Sequence, residues 1–254
     1  MKKISLILLI ALTLMLNACK QNSEKDSKVK SEESGAASVS DVEYSDEDLE
    51  SKFVGSFDME MTTPKESKIM TMNYASNGSL LAVKMNNEGQ QFRMIIDPQA
   101  KTMTTLMESE KKAIKMEMPK EALEKAQETN TNVKVEETND KKVIDGYKCR
   151  KYIMTSPEGS GEFWITRNIK GNFYEMMSMS DNKSQNGWFN TKAAKGFMLE
   201  GTFTDNKSKE TITMKIKNIS TKMPDDVNFS VEGYEVQDMS AMMNQLKDAM
   251  KNQK

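Results

Sequence analysis

From residue 53 onward, apolar side chains fall at every second position in one segment after another. Phe53, Gly55, Phe57, Met59 and Met61 alternate with Val54, Ser56, Asp58 and Glu60. A period of two puts neighbouring side chains on opposite faces of a strand, so the segment predicts a strand with one buried and one wet face. Met70, Met72 and Tyr74 repeat the pattern, Asn77-Gly78 marks a hairpin turn, and Leu81, Val83 and Met85 return from it. Asn87-Glu88-Gly89 then leads into Phe92, Met94 and Ile96, which Asp97-Pro98 ends. Residues 101–107, followed by the alternation of Ile114, Met116 and Met118, complete six strands on short turns, an antiparallel meander.

Pro119 opens a short helical stretch, residues 119–128, where a proline in the first turn loses no intrahelical bond. Strands resume at Val133 and Val135, at 142–144 and 147–155 around the turn signal Asp145-Gly146, and at 162–166. Phe173, Met176 and Met177 fit helical spacing, and residues 188–194 are a second helical candidate. Phe197, Leu199, Gly201 and Phe203 alternate, Asp205-Asn206 turns, and Ile212, Met214 and Ile216 come back. In the tail, Met239, Met242, Met243, Leu246 and Met250 form the stripe of an amphipathic helix over residues 239–254. The expected fold class is mainly β (α+β). One long antiparallel sheet of residues 51–238 curls into a half-barrel, with a few helices covering one face.

The N-terminal end follows a different rule. Met1-Lys2-Lys3 precedes an apolar run from Ile4 to Leu16, then Asn17-Ala18-Cys19. A positive start, a short apolar core and a small residue before the cut predict a secretory signal over residues 1–18. The run is shorter than the roughly 20 residues a spanning helix needs. The Cys after the small residue resembles the lipobox of bacterial lipoproteins, which implies cleavage before Cys19 and acylation of its thiol. The membrane is then a partner through lipid alone, since each buried CH₂ of an acyl chain contributes roughly 0.8 kcal/mol. Lys20 stands where an Asp would favour inner-membrane retention in enteric lipoproteins, so the resemblance implies the outer membrane, on its periplasmic face or the cell surface. Residues 19–50 are rich in Ser, Glu, Asp and Lys, which predicts a flexible acidic tether.

Composition removes whole classes of chemistry. The 254 residues include no His, which excludes Ser-His-Asp and Cys-His catalysis and His-based metal sites. Cys149 is the one thiol left once Cys19 is acylated, so no internal disulfide or thiolate cluster forms. Removing Lys2 and Lys3 takes the formal charge from −2 to −4. No strongly basic face stands out, so nucleic acid is not an expected partner, and the sequence holds no Gly-rich phosphate loop. No enzyme activity and no cofactor are expected.

A second resemblance lies within the domain. Ile144-Asp145-Gly146-Tyr147-Lys148-Cys149 with Tyr152, Gly161 with Trp164-Ile165-Thr166, and Met223-Pro224-Asp225 with Phe229 and Gly233-Tyr234 carry it, over residues 52–236. These residues resemble a domain of unknown function common in Bacteroidota lipoproteins and, more distantly, the LolA, LolB and RseB superfamily of envelope proteins. The resemblance implies a curved half-barrel with helices plugging its concave side and an apolar cavity between. LolA and LolB members hold lipoprotein acyl chains there, and RseB-like members sense envelope stress.

Methionine is the anomaly: 23 in the chain, 21 after Met1 and Met15 leave with the signal. The pairs Met59/Met61, Met70/Met72, Met116/Met118 and Met177/Met179 have a spacing of two, which puts both thioethers of a pair on one face of a strand. Three readings are open: flexible core packing, a pliable groove for variable apolar chains, and a Cu(I) site built on Met59, Met61, Met70 and Met72. Cys149 on an apolar face reads as a buried, inert thiol, and Trp164 and Trp188 as core or as the rim of a ligand mouth. The terminal helix packs on the domain, lies on a membrane or partner, or plugs the cavity. The function expected is non-enzymatic binding of an acyl chain or other apolar ligand, or of a lipoprotein carrying one, with Phe92, Met94, Ile96, Met116 and Met118 lining the cavity. The alternatives are a stress-sensing or assembly protein acting through its surface, and the Cu(I) binder.

Overall fold

The computed structural model describes residues 42–63, 66–87, 89–118, 132–173, 176–177 and 194–240. Twelve strands form one curved open sheet: β1 Val54–Thr63, β2 Glu66–Asn77, β3 Leu81–Asn87, β4 Gln90–Asp97, β5 Thr102–Met107, β6 Lys112–Glu117, β7 Lys134–Ile144, β8 Tyr147–Ser156, β9 Gly159–Thr166, β10 Phe197–Asp205, β11 Thr211–Ser220 and β12 Glu235–Asp238. Their order across the sheet is β12-β6-β5-β4-β3-β2-β1-β11-β10-β9-β8-β7. The chain walks out from β1 to β6, then builds the other half from its far edge, and β11 closes onto β1. The meander read from the alternation is present. Asp145 and Gly146 both have positive φ, 47° and 82°, as a two-residue type I′ hairpin turn requires. At Asn77-Gly78 only the glycine does, at 83°; the Asn77 carboxamide instead accepts from the Ser79 and Leu80 amides in a longer loop.

Bulges bend the sheet and rewrite simple alternation. Between Met198 and Glu200 the pairing with β9 slips by one residue, so the consecutive Met198 and Leu199 are both buried. A slip between Glu137 and Lys141 lets β7 run unbroken, where the sequence predicted two segments, one at Val133 and Val135 and one at 142–144. β9 likewise starts at Gly159, ahead of the expected residue 162. β12 has no apolar alternation and was missed; it pairs parallel with β6, so the sheet is not wholly antiparallel.

The core lies against one face and is aromatic at its centre. The ring of Phe57 stacks on Tyr74 at 5.0 Å, and those of Phe53 and Phe197 approach its edges at 5.9 and 5.4 Å. Phe173 reaches Phe197 at 5.1 Å from the connection between β9 and β10. That connection also buries Ile169 and Met176, and the Met176 amide bonds the Asn172 carbonyl, in keeping with the helical spacing of Phe173, Met176 and Met177.

Helix is scarce among the described residues: a five-residue helix α1, Asp46–Glu50, a 3-10 turn, Asp226–Phe229, and helical backbone at Phe173, Met176, Met177 and Ser240. The covering helices of the expected fold class are barely present there. The helices expected at 119–128, across most of 188–194, and across most of 239–254 lie outside the described residues, as do Cys19, Met179 and Trp188.

Residues 42–50, the end of the segment read as a tether, are described and pack on the domain. Ser45 caps α1, Leu49 is buried, and the Tyr44 amide bonds the Arg167 carbonyl. Arg167 and Lys195 both pair with Asp46, at 2.6 and 3.0 Å, and Lys170 pairs with Asp48 at 2.8 Å. The acidic residues that suggested a solvated segment instead favour a helix start and supply ion-pair acceptors.

Candidate functional site

Residues directly paired in an antiparallel sheet share a face. Register therefore assembles a row that no single segment displays: Ile216, Met59, Met72, Met85, Phe92 and Met107, on β11, β1, β2, β3, β4 and β5. At about 4.8 Å between strands the row runs roughly 24 Å, and its half-buried part, from Met72 to Met107, about 14 Å. A parallel row holds Leu81, Ile96, Met103 and Met116. Exposure grades along the first row. Ile216 and Met59 are buried, whereas Met72, Met85, Phe92 and Met107 are half-buried, and Met61, Met94, Met103 and Met118 pack partly exposed beside the core.

Of the residues expected to line a cavity, Met94, Met116 and Met118 lie half-buried on this face, Phe92 is half-buried in the row, and Ile96 is fully in the core at 1% exposure. Met61, Met72, Met85 and Met103 belong with them. Their signal was in the strand alternation, but strand pairing was needed to put them side by side. The four methionines of the copper reading form two cross-strand pairs, Met59 with Met72 and Met61 with Met70.

The opposite face has a second, small core of Ile95, Leu106 and Ala113, partly covered by Tyr234. Residues 221–238 cross this face as a strap and end in β12. Arg93 pins it. Its Nε donates to Glu108 at 3.1 Å, Nη1 to the Val227 carbonyl, and Nη2 to the Tyr234 hydroxyl at 3.3 Å. The Tyr234 hydroxyl in turn donates to Glu108, and Lys111 lies 4.9 Å from the centre of its ring. Burial alone would push the Glu108 carboxyl up; the Tyr234 hydrogen bond and the charges of Arg93 and Lys111 outweigh it and hold it below its ordinary value. The sequence hinted at this with one arginine among the apolar residues of β4, but its partner Tyr234 lies 141 positions away.

Between strap and sheet lies a pocket of about 890 Å³, which Phe92 also borders. A smaller one of about 310 Å³ adjoins it, sharing Asn73 and Lys84.

Cys149 is 1% exposed, and burial pushes its thiol up to about 12, so it is neither a ready nucleophile nor a ready thiolate ligand. Tyr152 is also raised to about 12, by burial and then by its hydrogen bond to Glu137. Trp164 is half-buried beneath the Lys142 ammonium, 4.3 Å from its ring centre. No group of three or more acidic or Cys residues able to hold a metal occurs among the described residues.

No curated protein matches the chain. Among solved structures, an uncharacterized conserved protein from Thermus thermophilus is similar over 76% of this chain and 93% of its own, at 10% identity and a TM-score of 0.43. A domain from Vibrio parahaemolyticus described as outer membrane lipoprotein-sorting covers 73% and 93%, at 7% identity and a TM-score of 0.33. A DUF1329 family protein from Desulfovibrio piger covers 71% and 90%, at 9% identity and a TM-score of 0.26. The family model Domain of unknown function (DUF4412) matches residues 53–234, which takes in all the strands but β12, and the chain belongs to that family.

Proposed function

We propose that the chain is a non-enzymatic lipoprotein of the cell envelope, anchored through acylated Cys19 and placed at the outer membrane, that binds an acyl chain or another apolar ligand along its methionine face. The observation that supports this reading most is the row of half-buried thioethers and Phe92 across β2 to β5. Thioethers are polarizable and unbranched, so they fit chains of variable shape. Apolar area removed from water contributes about 25 cal/mol per Å² before ordering costs. A LolA-like half-barrel with an apolar cavity is the finer architecture that goes with it.

Titration with a fluorescent long-chain fatty acid tests the reading. Saturable enhancement should occur, and Met72→Lys with Met85→Lys should weaken it at least about tenfold, because two ammonium groups would have to be desolvated under the chain. Enhancement that is absent, or equal in wild type and variant, would remove the proposal.

A second reading, action through a surface interface in stress sensing or assembly, draws on the strap. Met223, Val227, Val231 and Val236 are four of the eight large apolar residues exposed among the described residues, and all lie on it.

A further inference from the structure

We infer that the pocket between the strap and the sheet is a second binding site, for a small, neutral, polyhydroxylated ligand of the saccharide class. Most of its lining lies on the face opposite the methionine row, with Met85 and Phe92 of that row at its border, and it does not depend on that row binding anything. Its volume of about 890 Å³ falls within the roughly 300–1,000 Å³ of small-molecule sites.

The class follows from which polar groups are already engaged. Arg93 uses its donors on Glu108, Val227 and Tyr234; Lys111 pairs with Glu108 at 3.7 Å; Lys84 donates to Asn228 at 2.8 Å. The side chains of Thr71 and Gln91 on the sheet, and of Asp226 and Glu232 on the strap, line the pocket and have no side-chain partner among the described residues. The amide of Asn86 accepts from Gly89, which leaves its NH₂ group available.

The groups left to meet a ligand are thus the hydroxyls of Thr71 and Ser230, the amides of Gln91 and Asn86, the Oδ1 of Asn73, and two carboxylates. A hydroxyl both donates and accepts, so adjacent hydroxyls can serve the amides and also donate to the carboxylates. An anion would face Asp226 and Glu232 while Arg93 and Lys111 are paired with Glu108 and Lys84 is bonded to Asn228. A cation would face Lys84, Arg93 and Lys111, which balance the three carboxylates of the lining. A neutral polyol meets neither penalty, and Val227 offers apolar surface to its C–H faces. The smaller pocket beyond the Lys84–Asn228 bond gives room for a longer chain.

The test is calorimetric titration of the purified full-length chain, in a detergent without a sugar headgroup, with maltose, cellobiose and N,N′-diacetylchitobiose. Glucuronic acid and glucosamine are the charged comparisons. At least one neutral disaccharide should bind saturably and more tightly than either charged sugar. Thr71→Ala with Gln91→Ala should weaken that binding about tenfold, the loss of two modest hydrogen bonds. Neither side chain holds any part of the fold, so thermal stability should stay unchanged. Absence of saturable binding by all three disaccharides, preference for a charged sugar, or binding unchanged in the double variant would overturn the inference.

Discussion

Replacing Arg93 with Met should release the strap while leaving the sheet intact. Methionine fills most of the space of the arginine stem, so the change removes three hydrogen bonds and a charge without opening a large cavity. Breaking a fully buried ion pair costs about 3–5 kcal/mol, because the surviving charge is stranded. Here Arg93 is buried, but the side chain of Glu108 is 25% exposed and keeps Tyr234 and Lys111. Solvent therefore reaches the stranded carboxylate, and the cost falls to about 2–3 kcal/mol.

That cost should appear locally. The Glu235 amide bonds the Lys111 carbonyl and the Met239 amide the Lys115 carbonyl, both at 2.8 Å, and these bonds exist while β12 is seated. Hydrogen exchange at those two amides should speed by about 30- to 150-fold, at 1.4 kcal/mol per factor of ten. Amides of β8 and β9, on the other half of the sheet, should keep their protection. Unchanged exchange in the strap, or an equal rise in β8 and β9, would refute the reasoning.

Four further outcomes follow, three from the structure and the last from the proposed anchor. Glu108 sits below its ordinary 4.5 in the folded chain; a depressed folded value contributes stability that is present above the unfolded value and lost as pH falls through the folded one. Strap protection, taken relative to the intrinsic exchange rate at each pH, should therefore hold steady down to about pH 4.5 and fall below it, and Glu108→Gln should flatten that acid limb. Cys149, raised to about 12, should resist alkylation at pH 8 in the native chain and react fully in denaturant; fast native labelling would contradict its burial. Phe57→Ala should cost about 4 kcal/mol in urea denaturation, since the ring is 2% exposed and central to the aromatic cluster; a loss under 1 kcal/mol would mean the core is not organised around it. Palmitate should label the wild-type chain and not Cys19→Ser; label on both would rule out Cys19 as the anchor.

What the sequence revealed depended on how local the signal was. The strands from Phe53 to Met118 were legible because apolar side chains recur with a period of two on the main core face, even where Ile95, Leu106 and Ala113 bury part of the other. The turn at Asp145-Gly146 was legible because two adjacent positive φ values demand that pair of residues. β12, with no buried side chain, has no pattern to read; only its pairing with β6 makes it a strand. Leu199 was read as part of a plain alternation that its bulge breaks. α1 was hidden because Asp46, Glu47 and Asp48 look the same in a solvated tether as in a capped first turn.

The candidate sites divide the same way. Individual methionines were visible, but the row is a property of register across six strands. Ile96 shares their alternation and yet lies in the core, because periodicity gives a face and not a depth. The Arg93–Glu108–Tyr234 cluster joins residues far apart in the chain and had no local mark beyond a lone arginine.

The central claim is that the methionine face takes an apolar chain. Native mass spectrometry of the Cys19→Ser chain, purified without detergent and then incubated with palmitic acid, tests it most directly. The account predicts a co-purifying acyl species or a stoichiometric mass shift, lost when Met72 and Met85 are both replaced by Lys. A clean apo mass that stays unchanged after incubation would contradict it.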